Sequence, residues 1–158
     1  ARGAKGYPNL TDDDWLYGGE PENILTTLNN GRNGLMPSWQ QLGENNIENL
    51  TQYVLSLSNL EHDEERAASG ESTFLAACAA CHTPSGTGNT ALGAPNLTDA
   101  IWLYGGDYDT LHETVYNARY GVMPPMGGAE LSEAEIRAVA AYVHTRGGGE
   151  EPAEEASE

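Results

Sequence analysis

Basic side chains are scarce in this chain of 158 residues: seven lysines and arginines, Lys5 being the single lysine, stand against 24 acidic residues, for a formal charge of -17. That balance excludes nucleic acid as a partner, because binding to phosphate backbones rests on clustered cations. It serves solubility first, in a salty medium included. No run of about 18 apolar residues occurs, and no charged start leads into a short apolar stretch. The sequence therefore holds neither a membrane span nor a signal peptide, and reads as a mature or trimmed soluble product. Apolar-polar alternation never persists beyond a few residues and β-branched content is low, which argues against strands as organising elements. Cysteine is confined to Cys78 and Cys81.

What is present is a repeat. YPNLTDDDWLYGG, Tyr7 to Gly19, returns 87 positions later as APNLTDAIWLYGG, Ala94 to Gly106, with ten of thirteen residues unchanged. The same offset relates Trp15 to Trp102, Arg32 to Arg119 and Met36-Pro37 to Met123-Pro124. Ile47, Leu50, Thr51 and Val54 match Ile136, Val139, Ala140 and Val143 after two extra residues in the second copy. The chain thus divides into a first piece at 1–58, an acidic joint at 59–69, a second unit at 70–146 and a tail at 147–158. The tail's glycines and glutamates bury nothing against the entropy of ordering, so disorder is expected there.

In the second unit Phe74, Cys78, Cys81 and His82 share one face of a helix expected over 70–82. Thr98 is a candidate cap of a short helix ending at Gly105-Gly106, and Asp107 or Asp109 of another ending at Gly121. Ser132 with Glu135 forms a capping box for a last helix striped by Ile136, Val139, Ala140 and Val143. An all-α domain with long loops follows. At roughly 80 residues its apolar side chains are few, and domains of that size commonly add a disulfide, metal or cofactor to the interior.

Cys78-Ala79-Ala80-Cys81-His82 has the spacing that attaches a c-type haem: two thiols reach two vinyl groups and the next residue sets an imidazole under the iron. A thioredoxin-like pair would call for a βαβ context, and a zinc site for two more close ligands; neither is present, and a structural disulfide leaves the adjacent histidine unexplained. With His82 on one side, Met123 and Met126 are candidates for the other, where thioether sulfur favours ferrous iron and raises the potential. Met123 is preferred because Met36 shares its Gly-x-Met-Pro setting, whereas Met126 has no counterpart. His112 is a weaker alternative for that position; His62 and His144 read as surface residues. The Pro95 carbonyl is placed to accept a hydrogen bond from His82 and so orient its ring. Trp102, Tyr104 and Arg119 either line the pocket or bond the haem propionates. The Asn-Leu-Thr triplets at Asn9, Asn49 and Asn96 are formal glycosylation acceptors, but two belong to the repeat, and they are read as turn and cap chemistry.

CAACH followed by GAPNLTDAIWLYGG, ARYGVMPPM and AAYV closely resembles the second haem domain of the di-haem subunit, subunit III, of cbb3-type cytochrome c oxidases. YPNLTDDDWLYGGEPENI with NGRNGLMPSW resembles the later part of that subunit's first haem domain. The resemblance implies a class I cytochrome c fold: one complete haem domain preceded by a truncated second copy. Its first and last helices would cross at Gly70 and Phe74 on one and Tyr142 on the other. It also implies one covalent haem c ligated by His82 and Met123, and single-electron transfer as part of an oxidase, the domain itself making and breaking no substrate bonds. Expected partners are other oxidase subunits and a soluble electron-donor cytochrome. The expected location is the periplasm at the inner membrane, with membrane association only through an N-terminal anchor missing from this sequence. Projected back 87 positions, a first CxxCH would fall before residue 1. The first piece is then left with an apolar wall, Met36 included, to be covered by the second unit, by another chain or by a haem held without covalent bonds. A free di-domain cytochrome shuttle, and a haem peroxidase or gas sensor with an open iron position, are the rival readings.

Overall fold

A computed structural model describes residues 1–99, 101–146 and 149–150; the remainder of the expected tail lies outside the described residues. The elements are α1 (Pro21–Asn30), β1 (Arg32–Met36), α2 (Glu44–Leu57), α3 (Glu64–Ala77), α4 (Ala79–His82), α5 (Tyr108–Asn117), β2 (Arg119–Met123) and α6 (Glu133–His144). Short 3-10 turns lie at Gln40–Leu42 and Pro125–Gly128.

Helix ends follow local chemistry. Asp63 accepts from the Arg66 amide at 2.9 Å, and Glu64 and Glu65 fill the first turn of α3, where negative charge suits the helix dipole. The later half of the expected acidic joint is therefore helix, and the helix that leads into the Cys-x-x-Cys-His motif begins at Glu64 rather than Gly70. Removing that cap by Asp63→Ala is expected to cost about 1 kcal/mol of stability, read by denaturant unfolding of the haem-loaded chain. Asp107, not Asp109, caps α5 through the Thr110 amide at 2.9 Å. Ser132 and Glu135 form the expected capping box of α6.

Two expectations are corrected. No helix forms among the described residues of 98–106; the Asn96 side chain instead accepts from both the Thr98 amide (3.0 Å) and hydroxyl (2.8 Å), closing a turn. Asn9 does the same for Thr11, at 3.1 and 2.7 Å. The helix expected to end at Gly121 stops at Asn117, because Arg119–Met123 is β2, which pairs with the equivalent β1 in a small two-stranded sheet of an otherwise helical fold. Segments so short leave no alternation long enough to read, and the glycines within them, Gly34 and Gly121, weaken the pattern further.

The chain groups into two compact units across the repeat rather than along it: Ala1–Asn33 with Val122–Glu158, and Gly34–Gly121. In the first, Ile24 and Leu28 of α1 pack on Ile136 and Ala140 of α6, with Trp15 and Met126 alongside. The tail is ordered at Glu150: its amide donates to the Gly19 carbonyl at 2.9 Å and its carboxylate accepts from the Gly19 amide at 2.7 Å.

In the second unit, α2 packs along α3 and also meets α5. Ile47, Leu50 and Val54 of α2 join Phe74, Cys78, Leu97, Leu111 and Val115 in one core. Gly70 lets the two helices approach, since a Cβ there would strike the backbone carbonyl of Asn49. The helix that meets α3 at Gly70 and Phe74 within this unit is α2, from the first copy. Tyr142 on α6 is 59% exposed.

Candidate functional site

The Cys-x-x-Cys-His motif straddles a break between two helices. Cys78 ends α3 with φ -109° and ψ -29°, and its carbonyl then accepts from the amides of Cys81 (3.1 Å) and His82 (2.9 Å) to start the single turn of α4. This turn sets the two thiols and the imidazole on consecutive sides of one bend. Cys78 is buried in the unit's core and Cys81 is exposed; neither is in a disulfide. Burial, with the second thiol nearby, pushes the Cys78 thiol up to about 11.

His82 is 9% exposed. Its Nδ1–H donates to the Pro95 carbonyl at 3.0 Å, the bond expected from the sequence, which leaves the Nε2 lone pair free for a metal. Burial lowers the pKa of His82 against the opposing pull of the Pro95 bond, so the imidazole is neutral near pH 7, as a metal ligand must be. Pro95 is itself held by a loop in which the Leu97 amide donates to the Gly86 carbonyl at 2.7 Å and the Asn89 amide to the Ala94 carbonyl at 2.9 Å.

The same unit holds two buried donors. Trp102 Nε1 and Arg119 Nη2 are buried without a hydrogen-bond partner. Such groups cost roughly 1–3 kcal/mol each when left unsatisfied, so their persistence calls for an acceptor. The Arg119 guanidinium is otherwise fixed, with Nε donating to Thr114 Oγ1 at 2.9 Å and its carbon 4.5 Å from the Tyr104 ring centroid. Gly106 leaves room for the Trp102 indole, which a Cβ there would strike. Two donors without acceptors, in the unit that also holds a neutral imidazole and two thiols, fit a haem, whose propionates are acceptors, better than they fit a bare metal ion. Among the described residues no cluster of three or more His, Cys, Asp or Glu could hold such an ion. The first copy keeps an equivalent arrangement in its own unit: Arg32 Nε donates to Thr27 Oγ1 at 2.8 Å and lies 4.4 Å from the Tyr17 centroid.

The remaining candidates separate. Met123, 38% exposed, and Met126, packed on the Ile24–Ile136 core, belong to the unit that lacks His82. Met36, which the sequence left on an apolar wall needing cover, packs on the core that contains Cys78. His112 has its Nε2 3.0 Å from Glu44 Oε1 and its ring stacked on Tyr116, so it is occupied away from the motif. His62 donates to the Leu60 carbonyl at 2.7 Å and His144 to the Glu150 carbonyl at 2.8 Å. Of the three covers the sequence left open for Met36, this packing corresponds to the second unit.

Comparison with known proteins gives a concordant result. Residues 1–54 and 65–143 match the family described as cytochrome c oxidase, cbb3-type, subunit III. The cbb3-type cytochrome c oxidase subunit CcoP of Cereibacter sphaeroides is 50% identical over 162 residues, covering 95% of this chain and 56% of the relative. The subunit FixP of Bradyrhizobium sp. ORS 278 is 47% identical, covering 94% and 55%. That of Azorhizobium caulinodans is 46% identical, covering 94% and 54%. The chain spans little more than half the length of these relatives.

Proposed function

The chain belongs to the subunit III family of cbb3-type cytochrome c oxidases, and we propose that it carries one covalent c-type haem and passes electrons singly within such an oxidase. The observation that carries this reading is the Cys78-Cys81-His82 turn itself, in which the buried His82 ring is oriented by its Nδ1 bond to the Pro95 carbonyl. Bound there, the haem supplies a one-electron ferric/ferrous couple. The chain's own groups do the rest. Cys78 and Cys81, the only cysteines present, anchor by thioether bonds and fix the number of covalent haems at one. His82 presents Nε2, with Pro95 holding the ring against rotation. Trp102 and Arg119 answer the propionates, and Tyr104 steadies the guanidinium. A thioether on the far side, assigned by the resemblance to Met123, favours ferrous iron.

This part of the subunit makes and breaks no substrate bonds. Its partners are the other oxidase subunits and a soluble donor cytochrome, on the periplasmic side of the inner membrane. Among the described residues no helix is long and apolar enough to cross a membrane. Pyridine haemochrome with intact mass tests the reading, one haem per chain being expected. The oxidised protein should be low-spin with a sulfur-to-iron charge-transfer band. A high-spin, carbon-monoxide-binding iron would overturn the proposal in favour of a peroxidase or sensor.

A further inference from the structure

The acceptor that orients His82 has supports of its own. Pro95 offers its carbonyl to His82 Nδ1 at 3.0 Å, and that carbonyl points wherever the planar Pro95–Asn96 peptide is held. We infer that Gly88 and Asn96 are positioning residues: together they clamp this peptide plane, and through the His82 bond they set the iron's reduction potential. The inference rests on the haem reading above and goes beyond it by naming residues that act through the imidazole rather than on the iron.

Asn96 secures the plane along its own chain. Its Oδ1 accepts from the Thr98 amide at 3.0 Å and the Thr98 hydroxyl at 2.8 Å, which fixes the backbone that begins at the Asn96 amide. Leu97, enclosed by that turn, is buried in the core with Phe74 and Cys78, and its amide donates to the Gly86 carbonyl at 2.7 Å. Gly88 secures the plane by contact. A Cβ there would lie 2.7 Å from the Pro95 carbonyl carbon and from the Asn96 nitrogen, so its backbone rests directly against the peptide that carries the acceptor. The Gly88 amide also donates to the His82 carbonyl at 3.0 Å. One residue thus ties the main chain of the donor to the peptide of the acceptor, and its φ of +80° and missing side chain make glycine the residue that fits.

The first copy repeats the clamp on a shorter loop. A Cβ at Gly3 would lie 2.8 Å from the Asn9 nitrogen and 2.9 Å from the Pro8 carbonyl carbon, and the Leu10 amide donates to the Ala1 carbonyl at 2.8 Å. Asn9 closes the same turn on Thr11. Yet the bridge from Ala4 to Tyr7 encloses residues 5–6, where that from Asn89 to Ala94 encloses residues 90–93. Loop length differs between the copies while the contacts on the proline peptide are the same, which marks the contacts as what the sequence keeps.

Donation from Nδ1 makes the imidazole a stronger ligand for ferric iron, so loosening the Pro95 carbonyl should raise the potential. The test measures the midpoint potential of the haem-loaded chain and, by NMR of its ferrous form, solvent exchange of the His82 Nδ1 proton. Asn96→Ala and Gly88→Ala are expected to shift the balance about threefold toward ferrous iron, roughly 28 mV upward for a one-electron couple. The same variants should speed the exchange about fivefold. Asn96→Asp keeps the acceptor oxygen and should keep the exchange slow, while its added negative charge pulls the potential down rather than up. Ile47→Val, an uncharged change that loosens the same unit's core, should move neither reading. An unchanged potential and exchange rate in Asn96→Ala, or equal changes in Ile47→Val, overturns the inference and leaves the haem reading standing. Absence of covalent haem from the unaltered chain overturns both.

Discussion

Replacing Cys78 and Cys81 together by alanine should strip one haem mass from the denatured chain and leave no c-type haemochrome. Only thioether bonds survive denaturation, and these two thiols are the only ones the chain has. The single variants sharpen the result. With either cysteine alone, one thioether bond remains, so the haem mass should persist while the haemochrome shifts toward that of a haem retaining one vinyl group. Cys78 is the more costly of the two to lose, since its sulfur belongs to the buried core with Phe74 and Leu97 whereas Cys81 is exposed. Truncating a buried side chain removes both transfer energy and packing. Haem mass surviving in the double variant would mean attachment elsewhere and would refute the assignment.

Gly70→Val should be the most damaging single change outside the motif. A Cβ at Gly70 would meet the carbonyl oxygen and carbon of Asn49 in α2, and backbone, unlike the end of a flexible side chain, has nowhere to go. Mid-helix glycine costs about 1 kcal/mol relative to alanine, so propensity alone favours substitution. Overpacking of about 1–3 kcal/mol or more opposes it and should win, because separating α2 from α3 also opens the core at Ile47, Leu50 and Phe74, each fully buried. For a domain of this size each kcal/mol is worth roughly 4–8 °C in Tm, so a fall of about 10 °C is expected on calorimetry of the haem-loaded chain. A Gly70→Ala variant that is instead stabilised by about 1 kcal/mol would show that no backbone lies against this position.

Much of the site was legible because its chemistry is local. The Cys78-Cys81-His82 spacing, the Pro95 bond, the Asn9 and Asn96 turns and the Ser132 cap each depend on residues within about a dozen positions of one another. Partnership between helices was not legible, because the repeat that revealed the domain family also hid its pairing. Ile47, Leu50, Thr51 and Val54 on α2 offer α3 the same stripe that Ile136, Val139, Ala140 and Val143 offer on α6. Loop closure favours the nearer of such similar helices. About six residues join α2 to α3 and about 55 separate α3 from α6, a difference worth roughly 2 kcal/mol. Similarity between the copies thus left the packing of α2 on α3 unread.

The Glu150–Gly19 bonds and the packing of α1 on α6 draw the beginning and the end of the chain into one unit, while α2 and α3 meet across a short connection in the other. The consequence is a temporal order. As the chain emerges from synthesis, the unit that holds the Cys-x-x-Cys-His motif has its last residue once Gly121 is made, and its central contact, α2 on α3, is between neighbours, the kind that forms fast. The other unit waits for α6. Removing α6 should therefore cost that unit the packing of Ile24 and Leu28 while the core of Ile47, Leu50 and Phe74 still forms.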